Sequence, residues 1–177
     1  NFVECGSIEK KLGVNASPTC VMHYNNAKGW LVGDLHKGMK AMFVMMNGAR
    51  LFVGMQGLGI SEVAYQSALN YTKERLQGKS IDSKNIADPI IVHPEIRKNL
   101  LHMKSLNEGI RALMIWVGTQ FDIINITNDN NIKNNAENII ALMTPILKSF
   151  ASDVGCESAN SAVQIFGGHG YIKDHGI

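Results

Sequence analysis

The spacing of apolar residues changes character once along the chain, and that change predicts how the chain is organised. Up to about residue 36 the apolar residues come in short β-favouring runs, Cys20-Val21-Met22-His23-Tyr24 and Trp30-Leu31-Val32, separated by Asn25-Asn26-Ala27-Lys28-Gly29. Runs of this kind broken by Asn and Gly predict strand, turn, strand. Two or three short strands cannot bury a face alone, so this part reads as the tail of a β-domain whose other strands are missing.

From Lys37 onward the period lengthens to about 3.6. Leu51, Met55, Leu58, Tyr65 and Leu69 fall on one stripe of a first helix, interrupted by Glu62. Gly48, Gly54, Gly57 and Gly59 lie inside it. Each costs about 1 kcal/mol against Ala in a helix interior, so they predict close packing or a break near residue 48. Arg75-Leu76-Gln77-Gly78 closes the region, with basic residues in the last turn and a glycine after it.

A polar loop runs from Lys79 to about Val92, and Pro94 suits the first position of a second helix, where its missing N–H would be unpaired anyway. Ile96, Leu100, Met103, Ile110, Met114, Val117, Phe121 and Ile124 then step by threes and fours. Leu101, Leu113 and Trp116 widen that stripe and predict burial on more than one side. The Asn- and Asp-rich segment 125–135 ends this helix, and Asn134 with Glu137 three residues later predicts a capping box opening a third. The apolar face of that helix is Ala136, Ile139, Ile140, Met143, Ile146, Leu147, Phe150 and Val154, with a kink expected at Pro145. Ala159, Ala162, Val163 and Phe166 carry the pattern to a Gly-rich end. Three long amphipathic segments on short polar loops predict a mainly α chain, an antiparallel helical bundle preceded by the last strands of a β-domain.

Length and composition set bounds on this picture. A chain of 177 residues suits one domain, or one domain with part of another, and 45% apolar against 18% charged residues is enough to bury a core. Lys and Arg number 17 against 15 acidic residues, a net charge of +2. That balance does not point to nucleic acid or an anionic membrane. No uninterrupted apolar run approaches the roughly 18 residues of a membrane span. Cys5, Cys20 and Cys156 are far apart with no CxxC, which argues against a disulfide framework or a structural zinc site and for a reducing, cytoplasmic setting. The chain opens on Asn with no leader pattern, and the Gly-rich stretch Phe166 to Tyr171 has almost nothing after it to connect to. The chain therefore reads as a fragment of a longer protein, cut at both ends.

Catalytic chemistry is sparse. His23, His36, His93, His102, His169 and His175 show no HxxxH or HExxH spacing, so surface or satisfied core histidines are the reading and no metal site is indicated. The cysteines lack a His partner and read as buried, inert thiols. Met39, Met42, Met45 and Met46 are spaced for core filling. Arg50 is the one charge between Ala41 and Ile60, and since an unpaired buried charge is expensive it should reach water, a carboxylate or a ligand. In Gln164 to Gly170 the glycines would let backbone amides approach a phosphate. The GGxG here follows a helix, unlike a nucleotide-binding fingerprint, and a C-cap with a turn explains it equally well.

The string Ala162-Val163-Gln164-Ile165-Phe166-Gly167-Gly168-His169-Gly170-Tyr171 resembles the AVQIFGGxGY signature of the acyl-CoA dehydrogenases. Leu12 to Cys20 resembles the last strands of that family's middle β-domain. Gly29 to Gly33 and Lys37-Gly38-Met39 resemble its crossing into the C-terminal helices. Met45 to Leu51 and Tyr71 to Gly78 match in register, so the resemblance covers essentially the whole chain in order. Arg75-Leu76-Gln77-Gly78 and Asp88-Pro89-Ile90-Ile91-Val92-His93-Pro94 are most similar to the branch holding 3-methylmercaptopropionyl-CoA dehydrogenases and related long acyl-CoA dehydrogenases.

The resemblance implies that residues 1–36 end a middle β-domain and residues 37–177 form a C-terminal helical-bundle domain truncated before its end. It implies FAD as cofactor and α,β-dehydrogenation of an acyl-CoA thioester, in which a glutamate takes the α-proton while the β-hydrogen leaves as hydride to flavin N5. The implied partners are an acyl-CoA substrate, further subunits in a homodimer or homotetramer, and an electron-transfer flavoprotein or similar acceptor. Asn47 and Arg50 resemble the segment lining the acyl-CoA site, and Arg75 resembles the arginine that meets the FAD pyrophosphate of a neighbouring subunit. Gln164, Ile165, Phe166, Gly167 and Gly168 resemble the segment that contacts FAD across the dimer. The family's glutamate base would lie beyond Ile177, so no catalytic residue is named and the fragment alone is expected to be inactive.

Gln77 stands where many relatives carry an aromatic, and His93-Pro94 replaces a typical His-Gln, so no FAD contact is carried over to His93. Two other readings stand beside this one: a flavoprotein of the same fold acting in the DNA-alkylation response with nucleic-acid binding, and a helical assembly module without activity. The scattered, balanced charges argue against the former.

Overall fold

Residues 2–177 are described by a computed structural model, and they divide into two units, the first ending at Ala41 and the second covering Met42–Ile177. In the first unit β1 (Val3–Ile8) pairs antiparallel with β2 (Cys20–Tyr24), with an irregular register between Cys5 and Ser7. Gly6 sits at that irregularity against the His23 ring, where a Cβ would have no room. Trp30-Leu31-Val32 forms no strand, contrary to the strand, turn, strand expectation. The six residues of β1 offer Cys20–Tyr24 a ladder along its whole length, which three apolar residues cannot. Both strands are exposed throughout, as a two-stranded ribbon without a covering layer must be.

The helices are α1 (Gly38–Glu74), α2 (Pro94–Ile126) and α3 (Asn130–Phe166). Their contacts set the directions. Gly54 faces Leu147, Gly57 faces Ala151, and Ser61 meets Ser158, so α1 and α3 run parallel. Gly54 also faces Met114, while Ser61 meets Asn107, so α2 runs against both. The bundle is therefore up-down-up, and the ends of α1 and α3 lie together.

Its core is two apolar clusters. One gathers Ala64, Ala68, Leu100, Met103, Ala162, Ile165 and Phe166; the other gathers Ile110, Met114, Val117, Leu147, Ala151 and Val154. Between them lies a buried polar layer. Ser61 donates to Asn107 Oδ1, its hydroxyl shares a 2.6 Å hydrogen bond with Ser158, and Asn107 Nδ2 donates to Glu62 at 3.1 Å. Arg111 completes the layer from the rim, 3.0 Å from Glu62.

Several sequence expectations shift by a turn or a face. The seam of α1 is Gly54, Gly57, Ser61, Ala64, Ala68 and Thr72, all small. Leu51, Leu58, Tyr65 and Leu69 flank it half-buried, while Met55 is exposed. The helix passes Gly48 unbroken. Gly57 and Gly155 are the close approach: a Cβ on Gly155 would stand 2.9 Å from the Gly57 carbonyl oxygen. Leu101, Leu113 and Trp116 are exposed, so α2 is buried along one stripe only.

Residues 127–129 alone separate α2 from α3, because Asp129, not Asn134, caps α3 by accepting from the amides of Asn131 (2.7 Å) and Ile132 (3.3 Å). Pro145 lies on an exposed position and does not divide α3. Ile146 and Phe150, expected on the buried face of α3, are exposed. Met39, Met42 and Met45 are also exposed, as are all three cysteines, so neither set fills a core. One window of the α3 region reaches the length and mean hydropathy (1.4) of a membrane span. In the bundle its Ile140, Leu147, Ala151 and Val154 are buried.

Candidate functional site

The site forms where α1 and α3 end. Arg75 follows directly on α1, its amide donating to Tyr71 O at 2.9 Å. The chain then turns back on itself in a strap. Gln77 N–H donates to Asp88 O (3.0 Å), Asp88 N–H to Gly78 O (2.9 Å) and Ile90 N–H to Arg75 O (2.9 Å), with Leu76 and Pro89 bridged between them. Gly78 makes the turn at φ +68, a backbone shape that L side chains rarely adopt. A single 3-10 turn, Ile90–Val92, leads into α2, where Pro94 occupies the first turn as expected. His93 Nε2 lies 2.8 Å from Gln77 O, and since a carbonyl only accepts, Nε2–H is the donor of this bond.

On the other side α3 stops at Phe166. Gly167 takes φ +60, ψ −132, and its amide caps the helix on Gln164 O and Val163 O. A 3-10 turn over Gly167–Tyr171 follows, folded so tightly that a Cβ on Gly170 would lie 2.7 Å from Val163 O. Tyr71 joins the two halves: its ring stacks on Phe166 at 4.1 Å and 14°, and its hydroxyl donates to Phe166 O at 3.4 Å. Beyond it His169 Nδ1 and His175 Nε2 are 3.0 Å apart.

Strap and turn enclose a cavity of about 470 Å³. Arg75, Gln77, Gly78 and His93 line one wall; Gln164, Ile165, Phe166, Gly167, Gly168 and His169 line the other. All six residues matched to a cofactor segment from sequence therefore meet in one place, although Arg75 and Gln164 are far apart in the chain. Ile165 and Phe166 are buried and belong also to the core cluster, so their polar contribution is backbone.

Asn47 and Arg50 lie elsewhere. Arg50 is about 36 Å before the end of α1 at the rise of an α-helix. Its guanidinium lies 3.5 Å from Asn47 Oδ1 and 5.7 Å from the centre of the Phe43 ring. Among the described residues it makes no ion pair, so of the three destinations expected for it a carboxylate is not the one found.

Sequence reasoning did not single out Tyr71, His93 or His169 as lining residues. Tyr71 precedes Arg75 by one helical turn, a spacing that puts both on one side. The strap is what brings His93 back to Gln77. Asp88 was missed as well. Its carboxylate is buried and accepts from Ser80 N (2.8 Å), Ser80 Oγ (3.2 Å), Ser83 Oγ (2.7 Å) and Asn85 Nδ2 (2.7 Å). The Ser80 amide first, then Asn85 and Ser83, hold its pKa down at about 2.

Three long helices in up-down-up order, with a cavity where the first and third end, define a helical-bundle domain of the mainly α class. The family profile described as acyl-CoA dehydrogenase, C-terminal domain, matches residues 36–177. The chain belongs to the acyl-CoA dehydrogenase family. It is 43% identical over its whole length to the 3-methylmercaptopropionyl-CoA dehydrogenase of Ruegeria pomeroyi, covering 30% of that protein. It is 34% identical over 99% of its length to a butyryl-CoA dehydrogenase of Syntrophomonas wolfei, again covering 30%. The butyryl-CoA dehydrogenase structure from Megasphaera elsdenii superposes with a TM-score of 0.77 at 28% identity, over 98% of this chain and 40% of that one. The chain thus spans about a third of the length of the curated relatives it matches.

Proposed function

We propose that the polypeptide carrying this chain is an FAD-dependent acyl-CoA dehydrogenase and that the cavity at the end of the bundle receives the diphosphate part of FAD from a neighbouring subunit. The observation that carries this reading is the convergence of Arg75 and the side-chain-free backbone of Gly167 and Gly168 on one cavity. The donor set fits the group. A planar guanidinium pairs with phosphate oxygens in a fork, Gln77 and Gln164 add neutral amides, and glycines let the main chain come close. Bound there, FAD supplies the two-electron acceptor of the reaction.

What this chain does in the reaction is binding and orientation. Arg75 neutralises phosphate charge, the Gly167–Gly168 backbone sets the distance of approach, and Tyr71 stacked on Phe166 keeps the turn rigid. Asn47 and Arg50, in the first third of α1, serve the acyl-CoA. Two sites so far apart on one helix suit a subunit that touches substrate at one end and a neighbour's cofactor at the other, in a dimer or tetramer. The electron acceptor is an electron-transfer flavoprotein or a similar protein. An acyl-CoA thioester is the substrate class, with 3-methylmercaptopropionyl-CoA the first to try because it names the relative 43% identical to this chain.

The test is the visible spectrum of the full-length protein before and after adding 3-methylmercaptopropionyl-CoA, butyryl-CoA and longer thioesters. The expected result is a flavin band bleached by at least one of them. A colourless protein that takes up no added FAD overturns the reading.

A further inference from the structure

The strap from Leu76 to Ile90 poses a physical problem. Its tip, from Lys79 to Ala87, carries two large apolar residues, Ile81 and Ile86, and both are fully exposed, so hydrophobic burial does not anchor the tip. Between Lys79 and Ala87 the backbone makes one hydrogen bond to other backbone, Ser83 N–H to Ser80 O at 3.1 Å, and Asn85 N–H adds one to Ser83 Oγ at 3.2 Å. A loop of this length with so little to hold it should sample many conformations. Yet its base supplies Arg75, Gln77 and Gly78 to the cavity.

The group that holds it is Asp88, which is buried and whose carboxylate accepts four hydrogen bonds from the loop. Oδ2 accepts from Ser80 N and Ser80 Oγ; Oδ1 accepts from Ser83 Oγ and Asn85 Nδ2. Its own main chain faces the other way, bonding Gln77 N–H and Gly78 O. One residue therefore ties the loop tip, through its carboxylate, to the cavity wall, through its backbone. Gln77 in turn receives His93 on its carbonyl, which joins the start of α2 to the same unit.

We infer that Asp88 is a positioning residue for the cofactor: without touching the cavity, it fixes the strap so that Arg75, Gln77 and Gly78 stand where the diphosphate binds. The inference rests on the cofactor reading of the cavity given above. It makes a chemical prediction about substitution. The Ser80 amide can only donate, so the oxygen facing it must accept, whereas the Ser83 hydroxyl and the Asn85 amide can turn to accept. Asp88→Asn can keep its oxygen on the Ser80 amide and set its NH₂ against Ser83 Oγ and a turned Asn85 amide, so it loses the charge but not every bond and should fall between the wild type and Asp88→Ala.

The experiment uses the full-length protein with FAD as the probe. Amide hydrogen exchange on the apoprotein reads the strap directly, and fluorescence titration reads FAD affinity. In Asp88→Ala the amides of Gln77, Ser80 and Asp88 should exchange at least tenfold faster while those of α3 stay as they are, and in Asp88→Asn the same amides should change by a smaller factor. The Kd for FAD should rise tenfold or more in Asp88→Ala and by less in Asp88→Asn, and kcat at saturating FAD should remain within twofold, because the reacting atoms are not disturbed. Asn85→Ala removes a single donor and is the milder variant should Asp88→Ala fail to fold. It should raise the Kd about threefold and add nothing in the Asp88→Ala background, since both act through one carboxylate.

Faster exchange with an unchanged FAD Kd overturns the inference, as does an unchanged exchange rate. Arg75→Ala separates the two levels. If it weakens FAD while the Asp88 variants do not, the positioning role alone fails. If Arg75→Ala leaves FAD affinity untouched, the cofactor reading fails and the Asp88 inference falls with it.

Discussion

A carboxylate surrounded by donors is stabilised in its ionised form, and Asp88 shows the consequence, with a pKa of about 2 against an ordinary value near 3.9. A group whose folded pKa is lowered adds stability that is complete above its unfolded pKa and is lost as pH falls toward the folded one. The difference in melting temperature between the wild type and Asp88→Asn should therefore be constant above about pH 5 and shrink between pH 4 and 2. Thermal melts across that range check it, and a difference that grows on acidification would contradict the assignment. Arg75 is the other residue whose chemistry is specific. Arg75→Lys keeps the charge but loses the planar fork, so FAD should bind about tenfold more weakly, as a flavin titration would show. Arg75 was legible from sequence because it stands in a matched string. Asp88 stands in a matched string as well, but no role came with it, because its partners Ser80, Ser83 and Asn85 sit in an aperiodic polar loop, where Ser and Asn are common for many reasons.

Among the elements, the helices were legible and their buried faces less so. The stripe of large apolar residues on α1 is the flank of the interface, while the seam itself is small. Helices that approach closely need small residues at the contact, and small residues carry little hydrophobic signal. Gly57 is the sharpest case, since an added Cβ would lie 2.6 Å from Ala151 C and 2.9 Å from Ser152 N, both backbone. Gly57→Ala should destabilise the protein by about 1–3 kcal/mol, whereas Gly48→Ala, with open space around it, should stabilise by about 0.5–1 kcal/mol. Denaturant unfolding of the pair tests the contrast. The polar layer is a second feature that periodicity conceals. Asn107 occupies a core position on α2, and Asn107→Ala leaves Ser61 and Glu62 each short of a partner, at about 1–3 kcal/mol by the same measurement. Fixed donors and acceptors on three helices admit one register, which a layer of leucines would not enforce.

For the whole molecule, Leu113, Ile115, Trp116, Leu142, Ile146 and Phe150 are large, apolar and exposed on α2 and α3. Faces of this kind are normally covered in the assembled protein. The full-length polypeptide should run as a dimer or larger by light scattering, and a monomer that binds FAD fully would contradict cofactor sharing between subunits.

The sequence by itself determined the class of the molecule. Apolar period set three helices, Pro94 opened the second, glycine closed the third, and a contiguous set of matching strings placed the chain in its family. These are local properties, carried by neighbours a few residues apart. The tertiary structure alone decided which helix faces meet, that the seam is small and polar where it crosses the middle, and that Arg75, His93 and Gln164 to Gly168 share one cavity. Those facts depend on where the chain returns, and on a strap held by Asp88, and no pattern of neighbours encodes a return.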